Sequence, residues 1–584
     1  MKKFYILMLL AIPILVSCHK EDFEDEAIPQ CSILDREPIA IYPGTLYVPD
    51  DMSLGERLAN PYSLSNMRNA YDSISAELVD AGIERDDITT THFYVRFKPE
   101  NEEALRSIKA NYADFEIYEY PLDYELSGRV SYHDPAIPDS LPTYQYASID
   151  SLSWVTIPVP QNVEFEILER LFIPDEDIDD SNISVLSCGT TSYNDAVEAL
   201  VNRSLLLTGN LDEEEDAPEN GTMVSNSTWY PSGRITAYDD ILNAQVPLEG
   251  VKVRVRRWFT TRTAMTDANG YFAINKGFKN KVNYLIVWEG SKWDIRDGLF
   301  GQAYYNGPKK QGEWNLEITD DGKKSIRYAA IHRAVYRMKK GNTYGISRIN
   351  DSFTTKIAYI HNSFDNISGM YWLDAGCDVL PDILIFGKNK DDSLRTVHQI
   401  ISTTFHELGH ASHFTNAPHT YAAVDMPYIE SWASFVGYYL SLKEYQDLGR
   451  PDGPFLYESV MEANHTIIEF CKPDKIINRQ LSMVQSGSKY TPLFIDLYDN
   501  DNQWRLYNYY TAYDNSLNRD FLPKDYIRAI PANVLENFTF SSYRLSQIKT
   551  KLMQFYRGNT DVVNAEYNLT IDNINLMFNL YENL

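Results

Sequence analysis

The sequence predicts a multidomain α+β protein. Its length of 584 residues is more than one hydrophobic core usually organises, so several domains are expected. Five consecutive acidic residues at 212–216, closely followed by Pro218, are typical of a solvated linker. After this linker, a stretch in which apolar and polar residues alternate, as in strands, is followed by a stretch with apolar residues at helical spacing. These changes divide the chain into a small α+β N-terminal region at 32–210, an acidic linker at 211–226, a β-rich region at 227–298 and a C-terminal region at 299–584.

The N-terminal region has the pattern of a small α+β domain. Residues 91–97 and 115–118 have the composition of strands, and residues 100–112 between them have helical spacing. This strand–helix–strand unit is expected to form the centre of the region. Its residues leave open whether the region serves as a propeptide or as a docking domain.

The β-rich region opens with a strongly alternating stretch. Val251, Val253 and Val255 alternate with basic residues, which predicts a strand with one buried and one solvated face. Asn269-Gly270 predicts a hairpin turn between strands at 263–266 and 271–274. A further strand is expected at 282–288.

Two stretches of this region resemble a known domain type. Residues 246–251 read Val-Pro-Leu-Glu-Gly-Val and residues 266–272 read Thr-Asp-Ala-Asn-Gly-Tyr-Phe. Both are similar to the sequences of carboxypeptidase regulatory-like domains. The resemblance implies a transthyretin-like β-sandwich without catalytic residues, which would act as a spacer or an accessory module.

The C-terminal region alternates between short buried strands and long amphipathic helices. Asp391, Asp392 and Ser393 are typical N-terminal signals for the longest helix. Beyond residue 450 the pattern is mainly helical. The predicted elements are helices at 327–340, 393–414 and 428–443 and strands at 356–360 and 382–387.

One motif in this region carries metal chemistry. Residues 406–410 read His-Glu-Leu-Gly-His. On a helix, His406 and His410 stand one turn apart on the same face, so both imidazoles can reach one metal ion. Glu407 can then act as the general base that deprotonates a metal-activated water. The motif predicts a hydrolase that holds one Zn²⁺ ion per chain.

Zinc requires a third protein ligand, for which there are two candidates. His413 lies on the same helical face, but three ligands from one straight helix would spread over about 10 Å, which is too far for bonds of about 2 Å. His413 is therefore expected to line the cleft or to support a ligand. Asn416 stands where a third histidine would be needed for the metzincin pattern. Glu430, at the start of the next helix, is the better candidate if the two helices pack side by side.

These residues resemble the gluzincin metallopeptidases. His406-Glu407-x-x-His410, followed by Glu430 after nineteen intervening residues, is similar to the spacing in thermolysin-like enzymes. The string Glu-Ser-Trp-Ala that begins at Glu430 resembles the glutamate helix of other members. The resemblance covers roughly residues 300–450. It implies a thermolysin-like catalytic domain with a mainly helical C-terminal lobe, and hydrolysis of peptide bonds in a protein or glycoprotein substrate.

The chain departs from this family at two places. Where the family has an aspartate that orients the first histidine, this chain has Ser434, which could accept a histidine N–H but supplies no charge. The family also has a downstream histidine that stabilises the tetrahedral intermediate. Here His465 lies in an ordinary helical pattern, and any of several tyrosines could serve instead. The oxyanion donor is therefore unassigned.

The same ligand set is compatible with other functions. A peptidase that acts on mucin-like glycoproteins would need a cleft that accommodates glycans. An exopeptidase, such as an aminopeptidase, would need acidic groups that bind a free amino terminus. A surface lipoprotein with an inactive peptidase fold belongs to a different class, and intact histidines and glutamates in the motif disfavour it.

The N-terminus has the order of a secretory signal. Lys2 and Lys3 precede an apolar run at 4–16, which is too short to span a bilayer. The run ends in Leu-Val-Ser-Cys, which resembles the lipobox of bacterial lipoproteins. The resemblance implies a signal peptide at 1–17 and a lipid on Cys18.

A tether at 18–31 follows the cysteine. Its first residues, with a lysine before two acidic residues, are similar to the signal that sends Bacteroidota lipoproteins to the cell surface. The chain is thus expected to be attached through Cys18 to the outer membrane and to face outwards. After Cys18, the remaining cysteines are too few for a disulfide framework, although a Cys31–Cys188 bond stays open.

The net charge is strongly negative. A formal charge of −29 would repel nucleic acid, so no nucleic-acid partner is expected. The charge favours solubility of the mature chain and does not indicate an oligomeric state.

Overall fold

The computed structural model describes residues 15–16, 50–174, 193–211, 228–320, 322–350, 354–364, 367–372, 381–424, 426–451, 453, 493–499 and 526–581. It has a multidomain mixed α/β architecture with several β-sheets and a helical C-terminal region. No helix within these ranges is long and apolar enough to cross a membrane.

Several sequence predictions concern residues outside the described ranges. They include Cys18 with the tether, nearly all of the acidic linker, and His465. The signal segment is described only at Leu15–Val16. The four other cysteines, Cys31, Cys188, Cys377 and Cys471, also lie outside these ranges.

A three-stranded antiparallel sheet forms the centre of the N-terminal region. His92–Pro99 is the middle strand, between Gln145–Asp150 and Val163–Leu171. The predicted helix follows it as Glu102–Asn111 and buries Ala104, Leu105 and Ile108. The other elements of this region are Ser53–Arg57, Leu64–Asp80, the 3₁₀ turn Arg85–Asp87, Tyr124–Ser127, Ser151–Thr156 and Tyr193–Leu207.

The strand predicted at 115–118 is wrong. Within this stretch only Tyr118 pairs, in an isolated bridge with Tyr146. The reason is a long-range contact with the β-rich region. The Tyr118 hydroxyl lies 2.7 Å from the Thr261 hydroxyl, and the guanidinium of Arg254 lies 5.0 Å from the centre of the Tyr118 ring.

Two four-stranded sheets form the β-rich region. The rings of Phe272 and Tyr284 lie 6.2 Å apart and those of Tyr284 and Trp314 lie 5.3 Å apart, so the sheets pack against each other. One sheet contains Thr260–Met265, Lys252–Arg257, Val282–Val287 and Tyr304–Lys310, and the other contains Tyr271–Ala273, Ser232–Asp239, Trp314–Ile318 and Ala244–Pro247. Strand pairing therefore continues past residue 298, where the sequence pattern placed the end of this region.

The hairpin predicted around Asn269-Gly270 is wrong, although the turn itself is present. Gly270 has φ +78°, and the Asp267 side chain accepts hydrogen bonds from the backbone N–H groups of Asn269 and Tyr271. The strand before the turn pairs in one sheet and the strand after it in the other. The turn thus carries the chain between the two layers.

A mixed seven-stranded sheet supports the metal-binding motif. Trp293–Asp297, Thr355–Ile360 and Ile383–Phe386 are parallel, which confirms the two strands predicted here. Gly369–Trp372 runs antiparallel to Ile383–Phe386, and its other edge pairs with Leu15–Val16. The short strands Glu289–Gly290 and Gly301–Gln302 complete the sheet.

Two long helices follow this sheet. We call Val397–Asn416 the motif helix and Met426–Asp447 the glutamate helix. The motif helix begins later than predicted, because Thr396 and Gln399 form a capping box whereas Asp391 and Ser393 form a hydrogen-bonded turn before it. The other helices of the C-terminal region are Lys324–Lys339, Pro418–Tyr421, Leu493–Tyr498, Ala532–Phe540, Leu545–Gly558, Asp561–Glu566 and Ile571–Tyr581.

The β-rich region and these helices share one hydrophobic core. Its members include Val253 and Trp314 from the sheets and Ile331, Phe405 and Trp432 from the helices. The β-rich region therefore packs directly against the helices of the C-terminal region.

The last residue of strand Ser232–Asp239 and the turn after it add polar contacts to this core. Asp239 accepts a hydrogen bond from Arg333 at 2.8 Å. The carboxylate of Asp240 lies 2.8 Å from Nδ1 of His398 and accepts a hydrogen bond from the backbone N–H of His398 at 3.2 Å. One turn of the β-rich region therefore contacts both the helix Lys324–Lys339 and the start of the motif helix.

Buried charges join the N-terminal region to the mixed sheet. Glu102 accepts two hydrogen bonds from Arg296, at 2.7 and 2.9 Å, and lies 3.2 Å from the ammonium of Lys356. The side chains of Glu102 and Arg296 are 2% and 3% exposed. Such a pair is costly to separate, because each ion would lose its partner while still buried.

Candidate metal centre

Small residues let the motif helix and the glutamate helix approach closely. A Cβ atom on Gly409 would lie 3.0 Å from the Cβ of Val436, and one on Gly437 would lie 3.3 Å from the Cβ of His406. Larger side chains at these positions would force the helices apart. The close contact brings Glu430 beside the histidines of the motif helix.

His406, His410 and Glu430 form one compact group. The Nε2 atoms of the two histidines lie 3.1 Å apart. Glu430 Oε2 lies 3.2 Å from Nε2 of His406 and 3.6 Å from Nε2 of His410. His410 and Glu430 are buried, whereas His406 is 14% exposed and gives the group its contact with solvent.

These donors fit a metal ion. Ligand atoms about 2.0–2.1 Å from a tetrahedral ion lie roughly 3.3–3.5 Å from one another, which is close to the separations here. Two imidazole nitrogens and a carboxylate oxygen are also donors that divalent transition metals accept. A metal ion could be held here. Among the described residues, it is the one group of three or more such side chains close enough for this.

The charges of the two glutamates at this metal centre differ. Burial alone would raise the pKa of Glu430, but the neighbouring His410 and His406 outweigh burial and hold the pKa of this carboxyl well below its usual range. Burial raises the pKa of Glu407 well above its usual range, and the nearby Glu430 carboxylate adds to the increase. The surroundings therefore favour the charged form of Glu430 and the protonated form of Glu407.

The edge strand Gly369–Trp372 positions Glu407. The backbone N–H of Tyr371 donates a hydrogen bond to the Glu407 carboxylate. A Cβ atom on Gly369 would lie 2.5 Å from Oε1 of Glu407, so only glycine leaves room for the carboxylate at this point. Glu407 is thus held between its own helix and the strand beside it.

His413 is close to the metal centre without belonging to it. Its ring stacks on Phe540 at 5.2 Å and meets Tyr421 edge-on at 5.0 Å. Burial, with a smaller contribution from His410, lowers the pKa of His413 to about 3, so its ring is neutral. Neither ring nitrogen has a hydrogen-bond partner in the described part of the chain. His413 therefore lies outside the group formed by His406, His410 and Glu430.

Ser434 makes no hydrogen bond to His406. Its hydroxyl oxygen is buried and makes no hydrogen bond within the described ranges. Ser434 lies one turn beyond Glu430 on the glutamate helix.

Two tyrosines that sequence reasoning missed complete the surroundings of His410. The Tyr421 hydroxyl lies 3.4 Å from Nδ1 of His410. The ring of Tyr371 is nearly parallel to that of His410, with centres 6.2 Å apart. Neither tyrosine has a spacing signal among the 42 tyrosines of the chain, because one lies on the edge strand and the other on a short helix after the motif.

Comparisons with known proteins give no family assignment. No family model matches the chain, and no curated protein matches it. A solved structure with a local likeness is a candidate carbohydrate-binding protein from Pseudomonas aeruginosa, at 12% identity and a TM-score of 0.10, covering 18% of this chain and 97% of that one. Another is a 9R-lipoxygenase from Cyanothece, at 9% identity and a TM-score of 0.10, covering 40% of this chain and 56% of the lipoxygenase. At these TM-scores neither likeness identifies a fold or a function.

Proposed function

We propose that this protein is a zinc-dependent metallopeptidase. The observation that supports the proposal is the placement of Glu407 beside a compact group of two histidines and a glutamate. Three protein ligands of this kind leave a fourth position for water, as catalytic zinc sites require. His406, His410 and Glu430 would hold one zinc ion per chain. Zinc bound there would supply Lewis-acid activation of a water molecule and of the scissile carbonyl.

Glu407 performs the proton transfer in this proposal. Its carboxylate accepts a proton from the attacking water and donates it to the departing amine. The Tyr371 N–H and the glycine at 369 keep the carboxylate in place during both transfers. The substrate class is a protein or glycoprotein, and cleavage within a chain or at its end are both compatible with the group.

The proposal is tested by metal content and metal dependence. We expect about one zinc ion per chain of the purified protein. Cleavage of casein or of a mucin-type glycoprotein should stop when a chelator removes the ion and should return when Zn²⁺ is added. Mg²⁺ is the matched control, since it prefers oxygen ligands and should restore nothing. A protein that holds no transition metal, or that cleaves equally well after chelation, would contradict the proposal.

We also propose that the activity is attached to the outer membrane through a lipid on Cys18. The support is the sequence Leu-Val-Ser-Cys after a short apolar run. In the producing cells, a palmitate analogue should label the protein, and Cys18→Ala should abolish the labelling. Cys31→Ala is the control and should be labelled like the wild type. Equal labelling of Cys18→Ala and the wild type would show that the cysteine is not the anchor.

A further inference from the structure

The hydroxyl of Tyr421 lies against the far side of the His410 ring. It is 3.4 Å from Nδ1, whereas Nε2 of the same ring faces His406 at 3.1 Å and Glu430 at 3.6 Å. The ring therefore has one nitrogen directed at the metal centre and one directed at the phenol.

We propose that Tyr421 is a positioning residue for the metal. Its oxygen accepts a hydrogen bond from Nδ1–H of His410 and so fixes the tautomer whose Nε2 lone pair faces the other ligands. A neutral imidazole carries one N–H, so a ring that ligates through Nε2 must carry its proton on Nδ1. The partner of that N–H orients the ring and raises its basicity as a ligand. The inference rests on the metal site of the proposed function.

The short helix Pro418–Tyr421 is well anchored for this role. Its first turn is closed by the Tyr421 N–H, which donates to Ala417 O at 2.9 Å. The Thr420 hydroxyl donates to Phe540 O at 3.0 Å, which ties this turn to the helix Ala532–Phe540. Tyr421 itself is 3% exposed. Its hydroxyl is therefore held at a fixed distance from the motif helix.

Aromatic neighbours fix the Tyr421 ring independently of its hydroxyl. The ring centres of His413, Phe414 and Tyr371 lie 5.0, 5.7 and 6.4 Å from that of Tyr421, all close to perpendicular. A phenylalanine at 421 would keep these contacts. It would remove only the oxygen that accepts from His410.

The same geometry argues against Tyr421 as the missing oxyanion donor. A carbonyl activated at the metal would lie on the Nε2 side of His410, among the donors of the metal centre. The Tyr421 hydroxyl lies beyond Nδ1, on the opposite side of the imidazole. It therefore acts on the ligand and not on the substrate.

The test is the metal affinity of Tyr421→Phe. Metal-free wild type and variant are titrated with Zn²⁺ alone against a chelating dye, and Co²⁺ is used to record the absorption bands of the bound ion. We expect zinc to bind 10–100-fold more weakly to the variant, the usual effect of losing a partner of a metal-bound histidine. The melting temperature of the metal-free proteins is measured in parallel, and we expect it to change little because the ring contacts are kept.

Tyr445→Phe is the matched control. Tyr445 is also a buried tyrosine, and its hydroxyl donates to Asp239 at 2.9 Å, away from the metal centre. Loss of the Tyr445 hydroxyl should change zinc affinity by no more than about twofold, which is far less than the change expected when a metal-bound histidine loses its hydrogen-bond partner. If Tyr421→Phe weakens zinc no more than Tyr445→Phe does, the inference is wrong while the proposed function stands. If the wild type itself binds no zinc, the proposed function fails first.

Discussion

Glu407→Gln is expected to keep its metal and to lose hydrolysis by a factor of about 10²–10⁴, the usual contribution of a general acid–base group. Glutamine has the size of glutamate, and its carbonyl oxygen can still accept the Tyr371 N–H that holds the side chain. The amide cannot take a proton from water. Because Glu407 is not one of the three metal donors, zinc content should match the wild type.

The measurement compares zinc content with the cleavage rate of casein at saturating Zn²⁺. Glu536→Gln is the control, since Glu536 is also a buried glutamate whose pKa is raised by burial. Glu536, on the helix Ala532–Phe540, accepts hydrogen bonds from the backbone N–H and the hydroxyl of Ser347, and its replacement should leave the rate unchanged. Equal cleavage by Glu407→Gln and the wild type would exclude Glu407 as the base.

Arg333→Met is expected to lower the free energy of unfolding by about 3 kcal/mol. Removal of one member of a buried ion pair usually costs about 3–5 kcal/mol, because the remaining charge stays buried without it. Arg333 lies between Asp239, at 2.8 Å, and Glu444 of the glutamate helix, at 3.1 Å. In the variant, Asp239 keeps a hydrogen bond from Tyr445 and Glu444 keeps one from Arg337. The expected loss of stability therefore lies at the lower end of that range.

Urea unfolding and calorimetry of the wild type and the variant measure this loss in the free energy of unfolding. Lys98→Met is the control, since Lys98 pairs with Glu164 at 3.1 Å and the two side chains are 47% and 68% exposed. An exposed pair of this kind contributes at most about 1 kcal/mol. A loss for Arg333→Met as small as that of Lys98→Met would show that the buried network does not stabilise the helices.

The metal centre could be predicted from the sequence because its donors obey local rules. His406 and His410 are one helical turn apart, so the helix alone brings them together. Glu430 was predicted from the spacing to the next helix, and the structure places it within 3.6 Å of both histidines. The strand Ile383–Phe386 before the motif helix was likewise visible as a short apolar run.

Contacts made across the fold could not be predicted in this way. Tyr421 and Tyr371 reach His410 from a short helix and an edge strand, where no periodic pattern indicates which side chain faces the site. The hydroxyl of Ser434 makes no hydrogen bond within the described ranges, because a side chain's partner depends on helix packing. The turn at Asn269-Gly270 shows the same limit, since local sequence specifies a turn and tertiary packing decides which sheet each strand joins.

The contact between Asp240 and His398 has a consequence for sequence variation. Asp240 follows a strand of the β-rich region, yet it binds the second residue of the motif helix, 158 positions later in the chain. A substitution in that turn therefore acts on the helix that carries His406 and His410. Insertions or exchanges that replaced the β-rich region with an unrelated module would remove the carboxylate that binds His398 and would leave Arg333 with Glu444 alone. We therefore expect the residues of this turn and those of the motif helix to vary together among related chains.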